Sequence, residues 1–297
     1  MRFVFAFDEG PGAGLGHRRR MEALAAVATR RDIECVLVAL GSREVPTGDL
    51  RAADVVIVDS YHERADDRAF AAAGVVAAVD DLARDLAVDL VVDPSPGALG
   101  AAHRRARRVL AGSAYALVPP LEARVIAAEV SEPVDRVLVT TGAADAGGIG
   151  ARVATAIVAA LPDVEVRLVV GPWGAPDVPA GVVPVHAPDG LAPELAAAGI
   201  VVTAGGVALL EACLLGRPIV ALALAGNQRQ AVAGLERESA VEVATPETAA
   251  EAVVALVKDE YRRLALARAA RVAINGEGAG LVVDMLEQLT SRASATR

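Results

Sequence analysis

A glycine-rich run between a short apolar segment and a helical pattern constrains the fold of this chain more than any other feature. The run, GAGLGHRRR, covers residues 12–20 and follows the apolar residues 2–7. Apolar residues then recur at helical spacing from Met21 to Ala28. A strand, a glycine turn and a helix in this order are typical of open parallel α/β sheets. The sequence therefore predicts a buried first strand, a tight turn and a helix that begins near His17.

His17 is the side chain in this run best suited to chemistry. At a helix N-terminus, free backbone N–H groups favour a bound anion and the neutral form of an imidazole. One interpretation is therefore a neutral base beside a phosphate position. Two others stay open: His17 is a polar helix cap without chemistry, or the turn belongs to an NADP-dependent oxidoreductase. In that last case Gly41-Ser42-Arg43, after the second strand, would bind the 2′-phosphate.

Strands alternate with helical patterns along the whole chain, which predicts parallel sheets with helices on both faces. Helical patterns lie between several strands of the first half of the chain, and near residues 147–160, 191–197, 207–215, 228–238 and 247–257 in the second half. The predicted strands lie at residues 2–7, 34–40, 54–59, 74–79, 89–92 and 108–111, and then at 136–139, 165–170, 182–185, 199–203 and 218–223.

A polar, proline-bearing stretch at residues 119–133 separates two such series of strands and helices. We therefore expect one Rossmann-like domain at residues 1–120 and a second at 134–270. A C-terminal helix within residues 271–297 is expected to pack back on the first domain. The predicted fold class is α/β, with two doubly wound domains that face each other across a cleft at the carboxyl ends of both sheets.

Polar residues directly follow the predicted strands of the first domain, where open α/β sheets bind ligands. Asp59 and Tyr61 follow the third strand, and Asp80-Asp81 follow the fourth. The pair Asp80-Asp81 has a second interpretation, because aspartates often cap a following helix.

The second domain is expected to bind an anion through backbone N–H groups. Gly205 and Gly206 open the helix predicted at residues 207–215, and such a turn leaves the first N–H groups of the helix free. Glu211, one turn into this helix, could accept hydrogen bonds from ribose hydroxyls or lie on a solvated face.

Charge and composition exclude several classes of protein. The formal net charge is −9, so we expect no nucleic-acid partner, which would require a basic face. The basic run at residues 103–108 is interpreted as a solvated helix end. No apolar stretch reaches membrane-spanning length and no secretory signal precedes the first strand, so a cytoplasmic protein is expected. The two cysteines, Cys35 and Cys213, are expected to be small buried apolar residues.

Five motifs occur in the order and approximate spacing of a known family, the UDP-sugar hydrolases of pseudaminic acid biosynthesis and the related spore-coat polysaccharide proteins. This chain resembles them over residues 1–235. The family resembles in turn the lipid II-forming N-acetylglucosaminyltransferase, so the resemblance implies the two-domain GT-B fold. The motifs are Gly14-Leu15-Gly16-His17 with Arg20, Asp59-Ser60-Tyr61, Asp80-Asp81, Gly112–Leu117, and Gly205-Gly206 with Glu211-Ala212.

The resemblance implies a role for each matching residue. His17 would be the general base that activates water against the anomeric carbon, with inversion and loss of UDP. Residues on the sugar or acceptor side would be Gly14, Gly16, Arg20, Asp59, Tyr61 and Tyr115, joined by Asn227 and Gln228 from the second domain. The nucleotide would be bound by Gly142, Asp145, Gly205, Gly206 and Glu211.

The sequence thus predicts an enzyme that cleaves the anomeric C–O bond of a nucleoside-diphosphate sugar, UDP being favoured, by attack of water. The first alternative is an inverting glycosyltransferase that passes the sugar to a small-molecule acceptor. The NADP-dependent oxidoreductase and a noncatalytic nucleotide-sugar-binding module are weaker alternatives. No cofactor is predicted, and the spacing of the aspartates does not predict a metal site.

Overall fold

The structure of the protein is a computed structural model. It describes residues 1–40, 53–67, 70–121, 125, 130, 133–143, 145–174, 177–187 and 189–295. The proposed 2′-phosphate segment at residues 41–43 and most of the predicted linker at 119–133 lie outside the described residues. Among the described helices, none is long and apolar enough to cross a membrane.

Strands and helices follow one another largely as the apolar patterns predict. The strands are β1 (Arg2–Asp8), β2 (Glu34–Leu40), β3 (Val55–Asp59), β4 (Val75–Val79), β5 (Leu90–Asp93), β6 (Val109–Ala111), β7 (Arg136–Thr140), β8 (Glu165–Val169), β9 (Val182–Val185), β10 (Ile200–Ala204), β11 (Ile219–Leu222) and β12 (Glu242–Ala244). The helices are α1 (Gly16–Thr29), α2 (Ile149–Ala160), α3 (Ala192–Ala197), α4 (Val207–Leu214), α5 (Gln228–Arg237), α6 (Ala249–Lys258), α7 (Glu260–Ala273) and α8 (Gly278–Ala295).

The chain divides into two compact units. The first unit comprises Met1–Pro120 together with Gly276–Arg297, and the second comprises Leu121–Asn275. Helix α8 therefore belongs to the first unit, whereas α7 belongs to the second.

The first unit is built on a parallel six-stranded sheet in the order β2-β1-β3-β4-β5-β6. The chain leaves β1 in one direction to form β2 and then crosses to the other side of β1 to form β3. The boundary between β1 and β3 is therefore the topological switch point of the sheet, where the loops leave room for a ligand. Phe7 of β1 is paired with Asp59 of β3 at this boundary.

One face of the first sheet is covered by α1 and α8. Met21 and Leu24 of α1 and Val282 of α8 are fully buried against the β1 side chains of this face. Gly278 lets α8 approach closely, because a Cβ atom there would overlap the carbonyl oxygen of Ala116. Apolar burial of this kind stabilises the unit by about 25 cal/mol per Å² of apolar surface.

The opposite face departs from the prediction of helices on both faces. No helix joins β3 to β4 or β4 to β5 in the described part of these connections. Irregular segments supply the buried side chains of Ala65, Phe70 and Leu86 instead, and these pack on Val4 and Val56. Asp80-Asp81 consequently cap no helix among the described residues.

The second unit is built on a second parallel sheet in the order β12-β11-β10-β7-β8-β9. Its switch point lies between β7 and β10, where Thr140 is paired with Thr203. Val153 of α2 and Val253 of α6 are buried on one face of this sheet. Two guanidinium groups are also buried here. Arg217 donates to the carbonyl oxygens of Leu215 and Ala196, at the C-terminal ends of α4 and α3. Arg263 donates to the carbonyl oxygens of Leu256 and Val257, at the C-terminal end of α6. A cation at these positions satisfies carbonyl groups that a helix end leaves unpaired.

Candidate active site

The switch point of the first sheet holds a buried histidine–aspartate pair. His17 lies in the first turn of α1 and Asp59 is the last residue of β3. Their side chains are 2% and 1% exposed, and Nδ1 of His17 lies 2.6 Å from Oδ1 of Asp59. The strand order brings the two residues together although 42 positions separate them in the chain.

The carboxylate of Asp59 fixes the tautomer of a neutral His17. An ionised carboxylate only accepts hydrogen bonds, so the 2.6 Å contact with Asp59 places the hydrogen on Nδ1 of the imidazole. Nη2 of Arg20 lies 3.0 Å from the same nitrogen, but its hydrogen bond goes to Oδ1 of Asp59. The lone pair of the neutral ring is then on Nε2, where it can accept a proton. Burial alone would raise the pKa of Asp59, but Arg20 and His17 beside it outweigh burial and hold that pKa below its ordinary value. Asp59 is therefore the anionic partner that this tautomer requires.

Arg20 is bound on both sides by carboxylates. It lies three residues after His17, so α1 presents both side chains on one face. Its Nε atom donates to Oδ2 of Asp59 and its Nη2 atom to Oδ1, both at 2.8 Å, and its Nη1 atom donates to Oδ2 of Asp81 at 2.8 Å. The pKa of Arg20 is raised well above its ordinary value, because these two carboxylates outweigh the burial of the guanidinium. Arg20 thus orients the acids around His17.

Tyr61 completes the surroundings of His17. The two rings are in edge-to-face contact, with centroids 4.3 Å apart and an interplanar angle of 80°. The phenol of Tyr61 donates to Oδ2 of Asp81 at 3.2 Å. Burial and the nearby charge of Asp81 raise the pKa of Tyr61 to about 12. The phenol is therefore protonated across the physiological range and acts as a hydrogen-bond donor.

Asp81 is the residue of this cluster that the sequence marks only as part of the strand-end pair Asp80-Asp81, without a predicted contact of its own. It is the second residue after β4, and the position of an acid after a strand is the signal that marks it. The neighbouring strands β3 and β4 bring it beside Arg20 and Tyr61. Its Oδ1 atom is buried and has no hydrogen-bond partner within the described residues.

The loop that carries Tyr61 is fastened to the sheet by its backbone and by Ser60. Oδ1 of Asp8 accepts from the Ser60 hydroxyl and Oδ2 accepts from the backbone N–H of Tyr61, both at 2.8 Å. The guanidinium of Arg84 donates to the carbonyl oxygen of Ser60 at 2.7 Å and is held in turn by Asp80. The position of Tyr61 against His17 is therefore fixed from several sides.

Two glycines shape the turn that leads into α1. Gly14 has a φ of 76°, a left-handed conformation that side chains rarely adopt. Gly16 is the first residue of α1. The turn thus brings His17 to the start of the helix, in the position that the glycine pattern predicts.

Tyr115, a predicted sugar-side residue, packs elsewhere in the first unit. It is half-buried against the hydrophobic core between the sheet and α8, and its backbone lies under Gly278. The structure therefore gives Tyr115 a packing role, and its predicted contact with a ligand stays a prediction.

The second unit brings the predicted nucleotide residues to one edge of its sheet. β11, β10 and β7 are adjacent and parallel, so the loops that follow them lie side by side. Among the residues that the structure describes, no neighbouring atom lies within 4 Å of a Cβ atom built on Gly142, Gly206 or Gly226. Gly206 precedes α4, and no side chain caps the N-terminus of that helix. The edge therefore offers uncovered backbone to a ligand, beside the positive end of a helix dipole.

Asp145 contacts its own loop. It has a left-handed φ of 41° and is 7% exposed. Its Oδ1 atom accepts from the Thr141 hydroxyl at 2.6 Å and from the backbone N–H of Gly150, in the first turn of α2, at 2.8 Å. The carboxylate thus occupies the position that an anion would take at the start of α2, which leaves the N-terminus of α4 as the better phosphate site.

Gln228 also fastens its own loop. Its Oε1 atom accepts from the backbone N–H groups of Leu224 at 2.9 Å and Ala225 at 3.1 Å. A Cβ atom on Gly205 would lie 2.7 Å from the Cβ atom of Gln228, so this glycine lets the β10 loop and α5 approach closely. Asn227 stands immediately before α5, and Glu211 is buried in α4.

Within the part of the chain that the structure describes, no group of three or more His, Cys, Asp or Glu side chains is arranged to hold a metal ion. Both cysteines are free. Cys213 is buried, in agreement with the sequence interpretation, whereas Cys35 is half-buried. Burial raises the pKa of each thiol.

The chain is similar to known proteins in its three-dimensional structure, and the sequence comparisons found no match. No protein-family model matches the chain, and no curated protein matches its sequence. MurG from Acinetobacter baumannii is similar with a TM-score of 0.63 at 13% identity, over 97% of this chain and 100% of that one. The spinosyn forosaminyltransferase SpnP is similar with a TM-score of 0.61 at 16% identity, over 98% and 99%. UDP-GlcNAc 2-epimerase from Neisseria meningitidis, bound to UDP-GlcNAc, is similar with a TM-score of 0.60 at 13% identity, over 97% and 100%.

These likenesses cover nearly the whole of each chain, with two doubly wound parallel sheets in this protein. At this level of identity they bear on the fold, and the finer resemblance to UDP-sugar hydrolases stays a prediction. The predicted two-domain, Rossmann-like α/β fold of the GT-B type is confirmed, and the predicted cleft between the two sheets stays a prediction.

Proposed function

We propose that this protein is an enzyme that cleaves the anomeric C–O bond of a nucleoside-diphosphate sugar, UDP being the favoured nucleotide, with inversion at the anomeric carbon. The observation that carries the proposal is the buried pair of His17 and Asp59 at the switch point of the first sheet. A neutral imidazole held in one tautomer by a carboxylate is the arrangement that a general base requires.

His17 takes the proton from the attacking oxygen through Nε2. That oxygen forms a bond to the anomeric carbon while the C–O bond to the diphosphate breaks, and the bonding electron pair leaves with the nucleoside diphosphate. Attack opposite to the leaving group inverts the configuration. Asp59 then offsets the positive charge of the imidazolium, and Arg20 holds Asp59 in place through two hydrogen bonds.

The nucleotide is proposed to bind the carboxyl edge of the second sheet. Supporting observations are the uncovered backbone at Gly142, Gly206 and Gly226 and the uncapped N-terminus of α4. Backbone N–H groups stabilise the charge that develops on a leaving diphosphate without requiring a cofactor. Glu211, one turn into α4, is proposed to accept from the ribose hydroxyls. One structurally similar protein has UDP-GlcNAc bound, and another has thymidine diphosphate, which supports this class of ligand.

Two acceptors are compatible with the same base. Water is the proposed acceptor, because the glycine–histidine loop and Tyr61 resemble the hydrolase group. An organic hydroxyl is the second candidate, supported by the similar fold of a forosaminyltransferase. In either case His17 removes the proton, so the acceptor is decided by what binds beside the imidazole.

Product analysis tests the proposal. The protein is incubated with a panel of UDP-, TDP-, GDP- and CDP-sugars in water labelled with heavy oxygen, with and without a cell extract as acceptor source, and the products are identified by mass spectrometry. The proposal predicts free sugar that carries the label and an unlabelled nucleoside diphosphate. Sugar conjugates that form only with extract would indicate the transferase.

Two other results would replace the proposal. Label in the phosphate would show attack at phosphorus. Binding of NADPH, together with no turnover of any nucleotide sugar, would favour the oxidoreductase, and nucleotide-sugar binding with no product would favour a binding module.

A further inference from the structure

The second unit has few aromatic side chains. The chain contains four Phe, three Tyr and one Trp. All four Phe residues are buried in the first unit, where Tyr61 and Tyr115 also lie. Trp173 and Tyr261 are therefore the aromatic residues of the second unit, which is the proposed nucleotide-binding unit.

Trp173 lies at the same edge of the second sheet as the proposed phosphate site. It follows β8, which is paired with β7 in parallel, so its loop leaves the sheet at the same edge as Gly142. The backbone N–H of Trp173 donates to the carbonyl oxygen of Ala143 at 3.2 Å. Gly171 allows the Trp173 loop to approach Ala143 closely, because a Cβ atom on Gly171 would overlap the backbone of Ala143. Trp173 is half-buried, so the residue is partly exposed at this edge.

Tyr261 lies at the opposite edge of the second sheet. It is the second residue of α7, and the next residue, Arg262, is paired with Glu242. Glu242 is the first residue of β12, so this end of α7 lies at the amino edge of the strands. Tyr261 is 85% exposed there and serves as a matched control for Trp173.

We propose that the ring of Trp173 is the stacking platform for the base of the bound nucleotide, an inference that rests on the proposed function. β8 and β10 flank β7, so two strand spacings, about 10 Å, separate the loops of Trp173 and Gly206. A nucleotide whose phosphates lie at Gly206 spans such a distance, because its ribose lies between phosphate and base. Every nucleobase has a π face, so Trp173 contributes affinity for a base without selecting which one.

Calorimetry and fluorescence test this platform on the full chain. Because Trp173 is the sole tryptophan, its emission reports directly on its surroundings. UDP is expected to change that emission strongly, and inorganic pyrophosphate, which lacks a base, much less. Trp173→Leu is expected to lower the affinity for UDP by about ten- to a hundredfold, the usual contribution of stacking one base. The affinity of Trp173→Leu for pyrophosphate is expected to equal that of wild type. Trp173→Phe is expected to retain most of the UDP affinity, and Tyr261→Leu is expected to retain all of it.

The outcomes separate this inference from the proposed function. UDP binding with equal affinity to wild type and Trp173→Leu would overturn the platform and leave the proposed function standing. Equal losses of UDP and pyrophosphate affinity would also overturn it, since the tryptophan would then act on the loop rather than on a base. Wild-type protein that binds no nucleotide would overturn the proposed function, and the platform with it.

Discussion

Nδ1 of His17 lies 2.6 Å from Oδ1 of Asp59, across the switch point of the first sheet. His17 lies in the first turn of α1, the helix that follows β1, and Asp59 is the last residue of the adjacent strand β3. Arg20 binds the same carboxylate, so a single aspartate fixes the imidazole and neutralises a buried cation. The site thus combines the proposed base with a rigid support, and substitutions can separate these two roles.

Replacing Asp59 by asparagine tests the control of the tautomer. The amide keeps the shape of the carboxylate, but its NH₂ group can donate to Nδ1 and place the imidazole hydrogen on Nε2. Turnover of the nucleotide sugar is expected to fall by about a hundredfold or more, while UDP affinity, measured by calorimetry, stays near that of wild type. Unchanged turnover in a folded Asp59→Asn protein would mean that His17 does not need this partner.

Arg20→Met tests the ion pairs. It leaves the carboxylates of Asp59 and Asp81 buried without their cation, a change expected to cost about 3–5 kcal/mol in the free energy of unfolding at neutral pH. Arg18→Met, which removes exposed pairs on the same helix, is the control and is expected to cost less than about 1 kcal/mol.

The pH dependence of this difference has a definite sign. The pKa of Asp59 is lowered in the wild-type fold. Its stabilising contribution is therefore present above the ordinary carboxyl pKa and is lost as the pH falls through the lowered value. Chemical unfolding at several pH values should show the gap between wild type and Arg20→Met narrowing towards acid pH. A gap that is constant with pH would contradict the assigned ion pairs.

Tyr61 provides a test at alkaline pH. Burial and Asp81 raise its pKa from 10.0 to about 12. The proton is held more tightly in the folded state, so the associated stability is fully present below pH 10 and is lost as the pH rises through about 12. An ultraviolet absorbance titration should show one late tyrosine step in wild type that is missing in Tyr61→Phe. The same late step in the variant would assign it to another tyrosine.

Two neighbouring glycines are expected to fail in different ways. A Cβ atom on Gly205 would lie 2.7 Å from Gln228, so Gly205→Ala is expected to cost about 1–3 kcal/mol of stability. A Cβ atom on Gly206 meets no atom of the described residues within 4 Å. Gly206→Ala is therefore expected to lower the free energy of unfolding by less than about 1 kcal/mol. It is expected to lower the affinity for UDP, because the new methyl group obstructs access to the backbone. Thermal unfolding and calorimetry measure the two effects. Wild-type UDP affinity in Gly206→Ala would show that the phosphates do not bind at Gly206.

The strands could be predicted from the sequence because most are apolar runs bounded by turn residues. β12 was missed because it has only three residues at the sheet edge, with Val243 partly exposed, so it forms no apolar run. The segments that carry Ala65, Phe70 and Leu86 bury one face of the first sheet without helical structure. Apolar periodicity in a sequence indicates helices and strands. It cannot predict that irregular segments cover one face of a sheet.

The site could be predicted less completely than the fold. Residues at strand ends are visible in a sequence, which is why His17 and Asp59 were both selected. The hydrogen bond of Arg20 to Asp81 joins residues 61 positions apart and depends on the order of β1, β3 and β4 in the sheet. Likewise, no pattern indicates that the side chain of Gln228 bonds to its own loop. Such contacts depend on strand order and rotamers, which spacing along the chain does not encode.

The most direct test of the central claim compares wild type, His17→Ala and His17→Gln for turnover of a nucleotide sugar and for UDP affinity. Glutamine keeps a polar group at the start of α1 but cannot take a proton, so a base and a mere helix cap give different results. The account predicts that both variants bind UDP nearly as wild type does, because the proposed nucleotide contacts belong to the second unit, and that both lose about a hundredfold or more in turnover. Near-wild-type turnover in His17→Gln would contradict the assignment of His17 as the general base.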